Sequence, residues 1–208
     1  MLLKNGDLVL FQGDSVTDTG RDRSDSVSLG YGYPMMVAAW FAAVHPGLTV
    51  DFINKGVSGD RTCDLKARWD EDCIQLRPTV VSILIGINDC WRRYDQDDPT
   101  PVEEFESNYR FLLTRLRETG IIKIILVEPF VLPVPADRCR WREDLDPKIA
   151  VVRDLAREFQ TLLLPLDGII NSMATRRPPE FWAPDGVHPS PAGHALIAKE
   201  WLRTMECI

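Results

Sequence analysis

The chain of 208 residues is close to the usual size of one α/β domain, and at 45% hydrophobic it can bury a core without a metal or a disulfide. Lys and Arg total 24 against 31 Asp and Glu, which gives a formal net charge of −7. Because such a charge repels polyanions, we expect neither a nucleic acid nor an anionic membrane as a partner.

The cysteines and the apolar runs predict a cytoplasmic protein. An odd number of scattered cysteines without a CxxC pair indicates free thiols in a reducing compartment, and no metal cluster: Cys63, Cys73, Cys90, Cys139 and Cys207. The first apolar run ends at Phe11 and is too short for a signal-peptide core. No later run is long enough to span a bilayer.

Five apolar runs alternate with segments of helical spacing, at 8–11, 50–53, 80–85, 121–127 and 162–166. Continuous rather than alternating apolarity is typical of strands covered on both faces, as in a parallel sheet. Parallel neighbours need crossover connections, which the helical segments supply. The predicted fold is therefore a three-layer α/β/α, flavodoxin-like, doubly wound domain over 1–208 with a five-stranded parallel sheet.

Three helix starts are predicted where a capping side chain precedes a proline: Thr100-Pro101, Asp146-Pro147 and Ser190-Pro191. The capping oxygen accepts a backbone N–H, and proline has no N–H to leave unpaired at the first helical position. Glu103 is placed to complete a capping box with Thr100. Apolar residues at helical spacing extend the second of these helices from Pro147 to Phe159.

Four polar segments follow predicted strands or precede the last helix: 12–18, 54–60, 86–89 and 185–189. Taken singly, each is an ordinary turn or helix start. In an open α/β sheet, however, ligands bind beyond the carboxyl ends of the strands. The predicted fold gathers all four segments along that edge, so their combination predicts a functional site.

On these segments the chain resembles the SGNH or GDSL hydrolases, a family of esterases. The family has a GDS serine, a glycine after the second strand, a GxND asparagine and a carboxyl-terminal DxxH pair, matched here by Ser15, Gly59, Asn88, Asp185 and His188. The resemblance covers 7–194, with Val16 in place of the leucine of GDSL. Segments 13–18, 64–69 (a predicted helix) and 85–92 look like the branch that contains intracellular acetylxylan esterases of bacteria.

The matched residues suit acyl transfer. A serine hydroxyl is a weak nucleophile without a base, and His188 can take the proton of Ser15 and return it to the leaving alcohol. Asp185 can hold the imidazole tautomer and stabilise the imidazolium. The resemblance assigns the oxyanion hole to the backbone N–H groups of Ser15 and Gly59 and to the side-chain amide of Asn88.

Three other residues are candidates for substrate contacts: Asp14, Trp91 and Tyr94. Asp14 is also expected to support the turn that holds Ser15. Trp91 and Tyr94 follow Asn88 on a predicted loop, where aromatic rings can stack on a sugar or simply pack on the loop itself. His194 is expected to be structural, inside the final helix, and Ser58 lacks a nearby base in the sequence.

Three other classes of protein fit the sequence less well. An α/β-hydrolase needs a GxSxG elbow, which the sequence lacks. A metallophosphoesterase could take its ligands from Gly13-Asp14, Asn88-Asp89 and the Asp185/His188 pair, but such sites usually need several histidines and the chain has 3. A flavodoxin-like binding module gives no reason for a serine, an asparagine and an Asp-x-x-His pair to converge.

We therefore expect a serine esterase that hydrolyses short acyl esters through an acyl-enzyme, with no metal or organic cofactor. The narrower resemblance implies a small-molecule ester substrate, an O-acetylated saccharide such as a xylo-oligosaccharide, and assembly into a homo-oligomer. The alternative is a lysophospholipase or thioesterase-type lipolytic enzyme that acts on longer acyl chains.

Overall fold

A computed structural model describes residues 1–121 and 123–208, and its centre is a five-stranded parallel sheet. The strands are β1 (Leu8–Gly13), β2 (Asp51–Asn54), β3 (Val80–Leu84), β4 (Lys123–Val127) and β5 (Leu162–Leu164), in the order β2-β1-β3-β4-β5. The predicted parallel sheet is confirmed. Within the fourth predicted run, Ile122 lies outside the described residues.

Helices connect the strands. They are α1 (Ser15–Asp18), α2 (Tyr33–Val44), α3 (Thr62–Ala67), α4 (Trp69–Asp72), α5 (Ile87–Asp95), α6 (Val102–Glu118), α7 (Arg142–Phe159), α8 (Leu166–Ala174), α9 (Pro179–Trp182) and α10 (Pro191–Thr204). Short 3-10 helices cover Ile74–Leu76 and Ala136–Trp141. Across the described residues, no helix combines the length and apolarity that a membrane crossing requires.

The sheet separates two apolar cores, because successive side chains of a strand point to opposite faces. Val9 and Phe11 of β1 pack with α2, α8 and α10, whereas Leu10 packs with α3, α4, α6 and α7. One buried hydrogen bond lies within the first core, where the Trp201 indole N–H donates to Ser82 Oγ at 3.0 Å. The predicted three-layer α/β/α architecture is confirmed.

Two of the three predicted helix starts are wrong. Helix α6 begins at Val102, and Pro101, with an extended ψ of 150°, takes the cap position itself, so Thr100 does not cap the helix. Helix α7 begins at Arg142 rather than at Pro147, which lies inside it. The 3-10 helix before α7 runs directly into it, and the Arg142 guanidinium anchors that start with two bonds to Asp167 at 2.7 and 2.8 Å.

The third start, Ser190-Pro191, is confirmed. Ser190 Oγ accepts the N–H of Gly193 at 3.2 Å, and Pro191 is the first residue of α10. A cap at this position fixes the chain just after 185–189, the last of the four polar segments.

The strand order places the switch point of the sheet between β1 and β3. From these two central strands the chain proceeds to β2 on one side and to β4 and β5 on the other. Open α/β sheets bind ligands at the carboxyl ends of strands at such a point. Segments 12–18 and 86–89 leave the sheet there.

Candidate active site

Ser15 stands at the carboxyl end of β1, as the first residue of α1. A side chain on Gly13 would bring its Cβ within 2.2 Å of the Leu84 carbonyl oxygen and 2.4 Å of Thr17 Oγ1, so only glycine lets the strand turn here. The Asp14 carboxylate then caps α1 by accepting the N–H of Val16 at 3.0 Å. This strand–turn–helix junction presents the Ser15 hydroxyl at the edge of the sheet.

Asp185 and His188 form a local unit in the loop before α10. Asp185 Oδ1 accepts the backbone N–H groups of Val187 at 3.0 Å and His188 at 2.7 Å. Gly186 between them has φ of +82°, and a Cβ there would lie 2.3 Å from the Val134 carbonyl oxygen. The tight turn therefore depends on glycine and leaves the two side chains facing each other.

Ser15, His188 and Asp185, which are distant in the chain, meet in one line of hydrogen bonds, here called the relay. His188 Nε2 lies 2.9 Å from Ser15 Oγ, and His188 Nδ1 donates to Asp185 Oδ2 at 2.6 Å. With Nδ1 protonated, Nε2 of the neutral imidazole is free to accept the serine proton.

The relay controls the protonation of its own members. The hydrogen bond to Asp185 raises the pKa of His188 above its usual value, against an opposing effect of burial. Burial alone would raise the pKa of Asp185, but hydrogen bonds from His188 and Val187 hold it far below its usual range. At neutral pH the pair therefore offers an ionised carboxylate and a strengthened base.

The candidate oxyanion donors come from the two segments that follow β2 and β3. Gly59 lies in the segment between β2 and α3 with φ of +91°, and nothing lies within 4 Å of the position its Cβ would take. Asn88 is in the first turn of α5 and is only 3% exposed. Its Nδ2 donates to the Asp60 carbonyl oxygen at 3.0 Å, which leaves the second amide hydrogen available.

Asp89 of α5 binds the start of α3 and so ties these two segments together, a role that the sequence analysis did not assign. Its fully buried carboxylate accepts the N–H of Thr62 at 3.0 Å and the Thr62 hydroxyl at 2.6 Å. Burial raises the pKa of Asp89 to about 6, although the Thr62 hydrogen bonds oppose the shift. The only sequence signal is the position of Asp89 directly after Asn88.

Arg68 is a second residue that the sequence analysis missed. The predicted helix 64–69 divides at this residue into α3 and α4. The guanidinium contacts Asp60 Oδ2 at 2.7 Å, Gln12 Oε1 at 3.0 Å and the Gly13 carbonyl oxygen at 3.3 Å. It thereby joins the end of β1 to the loop that carries Gly59.

The three candidate substrate residues differ in placement. Asp14 is 1% exposed, and burial raises its pKa to about 7, so it supports the turn and does not present its carboxylate to a ligand at the surface. Trp91 and Tyr94 lie in helix α5, not on a loop. The Trp91 ring lies 5.8 Å from the His188 ring and 5.2 Å from the Trp141 ring, and the Tyr94 ring stacks on Trp141 at 5.3 Å without an aromatic contact to His188 among the described residues.

His194 is a buried structural residue, at 5% exposure. Its Nδ1 accepts the N–H of Tyr33 at 3.2 Å, and burial lowers its pKa to about 4, so the ring stays neutral at ordinary pH. Over residues 1–121 and 123–208, no three His, Cys, Asp or Glu side chains are grouped as metal ligands.

A hydroxyl, an imidazole and a carboxylate in hydrogen-bonded sequence, at the switch point of a parallel sheet, define a serine hydrolase. A family model described as the GDSL-like Lipase/Acylhydrolase family matches residues 11–196. The chain belongs to this family, as its four motif segments predicted.

Relatives match this protein in sequence and structure over nearly the whole chain. An acetylxylan esterase of Geobacillus stearothermophilus is 38% identical, over 98% of this chain and 95% of that protein. The crystal structure of Axe2, an acetylxylan esterase from the same organism, has a TM-score of 0.91 at 37% identity and covers 99% of this chain and 96% of its own. An alpha/beta hydrolase from the Lake Arreo metagenome has a TM-score of 0.92 at 31% identity, covering 100% and 98%. The protein is a carboxylic ester hydrolase.

Proposed function

We propose that the protein removes acetyl groups from O-acetylated saccharides, with xylo-oligosaccharides preferred, through an acyl-enzyme on Ser15. The observation that carries the proposal is the relay, with its 2.9 Å and 2.6 Å contacts on a face that a substrate can reach. The His188 side chain is 46% exposed and that of Asp185 is 42% exposed. A bulky sugar can therefore approach without the removal of any covering element.

In the acylation step, Ser15 Oγ attacks the acetyl carbonyl carbon while His188 Nε2 takes the hydroxyl proton. The resulting oxyanion accepts hydrogen bonds from the Ser15 and Gly59 backbone N–H groups and the Asn88 amide. The bond from the carbonyl carbon to the sugar oxygen then breaks. His188 gives its proton to that oxygen, so the sugar leaves as an alcohol and the acetyl group stays on Ser15.

In the deacylation step, water takes the place of the sugar hydroxyl. His188 removes a proton from the water as its oxygen attacks the acyl carbon, and the same donors hold the second oxyanion. The bond to Ser15 Oγ breaks, His188 returns the proton to the serine, and the product leaves as acetic acid, which ionises to acetate in solution. Asp185 stays ionised throughout and stabilises the imidazolium in both steps.

One feature of the site supports a sugar substrate. The Trp91 ring next to His188 offers an aromatic face of the kind on which sugars stack. The acetylxylan esterase relatives support the same substrate class, and catalytic mutants of Axe2 replace a serine and a histidine by alanine.

The first experiment tests the nucleophile with p-nitrophenyl acetate and a serine-directed phosphonate. Wild type should hydrolyse the ester and be labelled once, whereas Ser15→Ala should be near-inactive and unlabelled. Ser172→Ala in α8 is the matched control and should behave as wild type. Activity of Ser15→Ala within tenfold of wild type would overturn the assignment.

The second experiment tests the substrate, using acetylated xylo-oligosaccharides beside p-nitrophenyl esters of two to twelve carbons. We expect kcat/KM to fall steeply beyond the shortest chains, because a site that fits an acetyl group must find space for each added methylene. A preference for the long chains would instead support the lysophospholipase or thioesterase alternative.

We also propose that copies of the chain associate through the outer face of α2. This helix of 12 residues carries no charged side chain, and Met35, Trp40 and Val44 remain 36%, 40% and 44% exposed. A helix that is apolar all round is normally covered. Trp40 and Val44, which are four residues apart, lie on one side of the helix and form the centre of the proposed contact.

We propose a second copy of the chain as the partner, as the narrower family resemblance implies. Two chains of net charge −7 repel each other overall, and the uncharged α2 face is a place where they can approach without pairing like charges. By light scattering, Trp40→Glu should lower the mass of the wild-type assembly, whereas Phe111→Glu, an aromatic on α6 that is 37% exposed, should not. A monomeric wild type, or a Trp40→Glu variant of unchanged mass, would refute the α2 interface.

A further inference from the structure

The segment that carries Gly59 docks closely on the helix that carries Ser15. After β2 ends, the parallel ladder to β1 continues, since the N–H of Lys55 donates to the Phe11 carbonyl at 2.8 Å and that of Val57 to the Gly13 carbonyl at 3.0 Å. At Gly56 a Cβ would lie 2.4 Å from the backbone nitrogen of Asp18. The backbones of the segment and of α1 therefore touch, and what fixes one affects the other.

Asp18, the last residue of α1, makes the side-chain connection at this junction. Its Oδ2 accepts the N–H of Ser58 at 2.9 Å, the hydroxyl of Ser58 at 3.0 Å and the guanidinium of Arg23 at 2.8 Å. The residue is 5% exposed. Burial alone would raise the pKa of Asp18, but the bonds from Arg23 and Ser58 lower it below its usual value, so the carboxylate stays ionised.

Gly59 is held on its other side as well. The carbonyl oxygen of Asp60 accepts the Asn88 amide, and Thr62 is bound to the buried carboxylate of Asp89. Gly59 itself makes no comparable side-chain contact and has the conformational freedom of glycine at a φ of +91°. Its N–H belongs to the planar peptide unit that begins at Ser58, so the direction of that N–H depends on how firmly Ser58 is held.

We propose that Asp18 is a positioning residue for the oxyanion hole, which aims the Gly59 N–H by fixing Ser58 to the helix that carries Ser15. This inference rests on the proposed function, because it assumes that Gly59 donates to the oxyanion. Ser58, which resembles a stray nucleophile in the sequence, is then part of the same support. Asp18 touches neither the substrate nor the reacting atoms, so it acts only through this loop.

This positioning role predicts that a change at Asp18 weakens the binding of the transition state. A donor misplaced by about 1 Å can cost on the order of 100-fold in rate. For Asp18→Ala we expect kcat/KM for p-nitrophenyl acetate to fall roughly 10- to 100-fold. The inhibition constant of methylboronic acid, which forms a tetrahedral anion on Ser15, should rise by a similar factor. The affinity for a transition-state analogue depends on the oxyanion donors. A general loss of folded protein would lower the measured rate but would not weaken the affinity of the remaining folded enzyme for the analogue.

Two variants separate positioning from simple structural damage. Asp18→Asn keeps an oxygen that can accept the Ser58 N–H, so it should recover to within about threefold of wild type. Asp25→Ala, on the adjacent loop, removes an exposed carboxylate that caps only the N–H of Val27 and should change neither constant. If Asp18→Ala does not fold, the double variant Asp18→Asn with Ser58→Ala takes its place. For this variant we expect kcat/KM to fall, and the inhibition constant of methylboronic acid to rise, by about tenfold.

Folded Asp18→Ala, or the double variant, with kcat/KM within threefold of wild type would overturn the proposal. So would a lower rate with unchanged affinity for methylboronic acid. Failure of the proposed function gives a different result: Ser15→Ala would keep its activity, or wild type would not react with the phosphonate. Activity that depends on Ser15 but not on Asp18 therefore rejects the positioning role alone.

Discussion

Asn88→Ala is the sharpest test of the oxyanion site, because the structure separates the effect on catalysis from the effect on stability. The Asn88 amide has two hydrogens, and one of them bonds the Asp60 carbonyl oxygen at 3.0 Å. Loss of that bond costs about 1 kcal/mol of folding free energy. Loss of the second hydrogen as an oxyanion donor costs the transition state ~2.7–4 kcal/mol, or roughly 100- to 1000-fold in kcat.

The assay compares kcat and kcat/KM for p-nitrophenyl acetate with the free energy of unfolding in urea. Asn108→Ala is the matched control, since Asn108 lies on α6 and is 5% exposed, close to the 3% of Asn88. The control should lose stability at most and keep its rate. A folded Asn88→Ala variant within tenfold of wild-type kcat would refute the assignment of the amide to the oxyanion hole.

Two further predictions concern protonation. Asp185→Ala removes the hydrogen bond that raises the pKa of His188. Activity needs neutral His188, so the acid limb of the pH profile of kcat/KM should move to lower pH, while the plateau value of kcat/KM falls. An unmoved acid limb would show that another group controls it. Burial raises the pKa of Asp14 from 3.8 to about 7. Between these two values the unfolded chain has lost this proton and the folded protein still holds it. The stability of wild type therefore falls as the pH rises from 3.8 to about 7. Asp14→Asn should abolish that loss in urea unfolding curves; parallel pH dependences of the two proteins would contradict it.

The main strands were predictable because a fully covered parallel strand leaves a local signature. The run at 80–85 is apolar on both faces, and β3 has both faces buried between the two cores.

Helix starts were less predictable. Pro101 and Pro147 both carry the local signal of a first helical position, but one caps its helix and the other lies inside it. Helix α7 begins five residues before Pro147, at Arg142, whose guanidinium binds Asp167 outside any local window.

The supporting contacts of the site were not predictable. Asp18 and Ser58 are separated by 40 residues, and Thr62 and Asp89 by 27. Each of these side chains has an ordinary local role as a turn or helix-end residue, and no spacing rule links the pairs. Asp14 shows the same limit, since only the tertiary structure shows that its side chain is buried.

The amino-acid sequence by itself determined the order of strands and helices and the chemistry available at the carboxyl edge of the sheet. Hydrophobic periodicity and motif residues act over a few positions, so they can be read locally. Tertiary structure decided the distances between Ser15, His188 and Asp185, the burial of Asp14 and the anchoring of the Gly59 loop. Those properties depend on how segments far apart in the chain pack, and packing is settled only when the whole core forms.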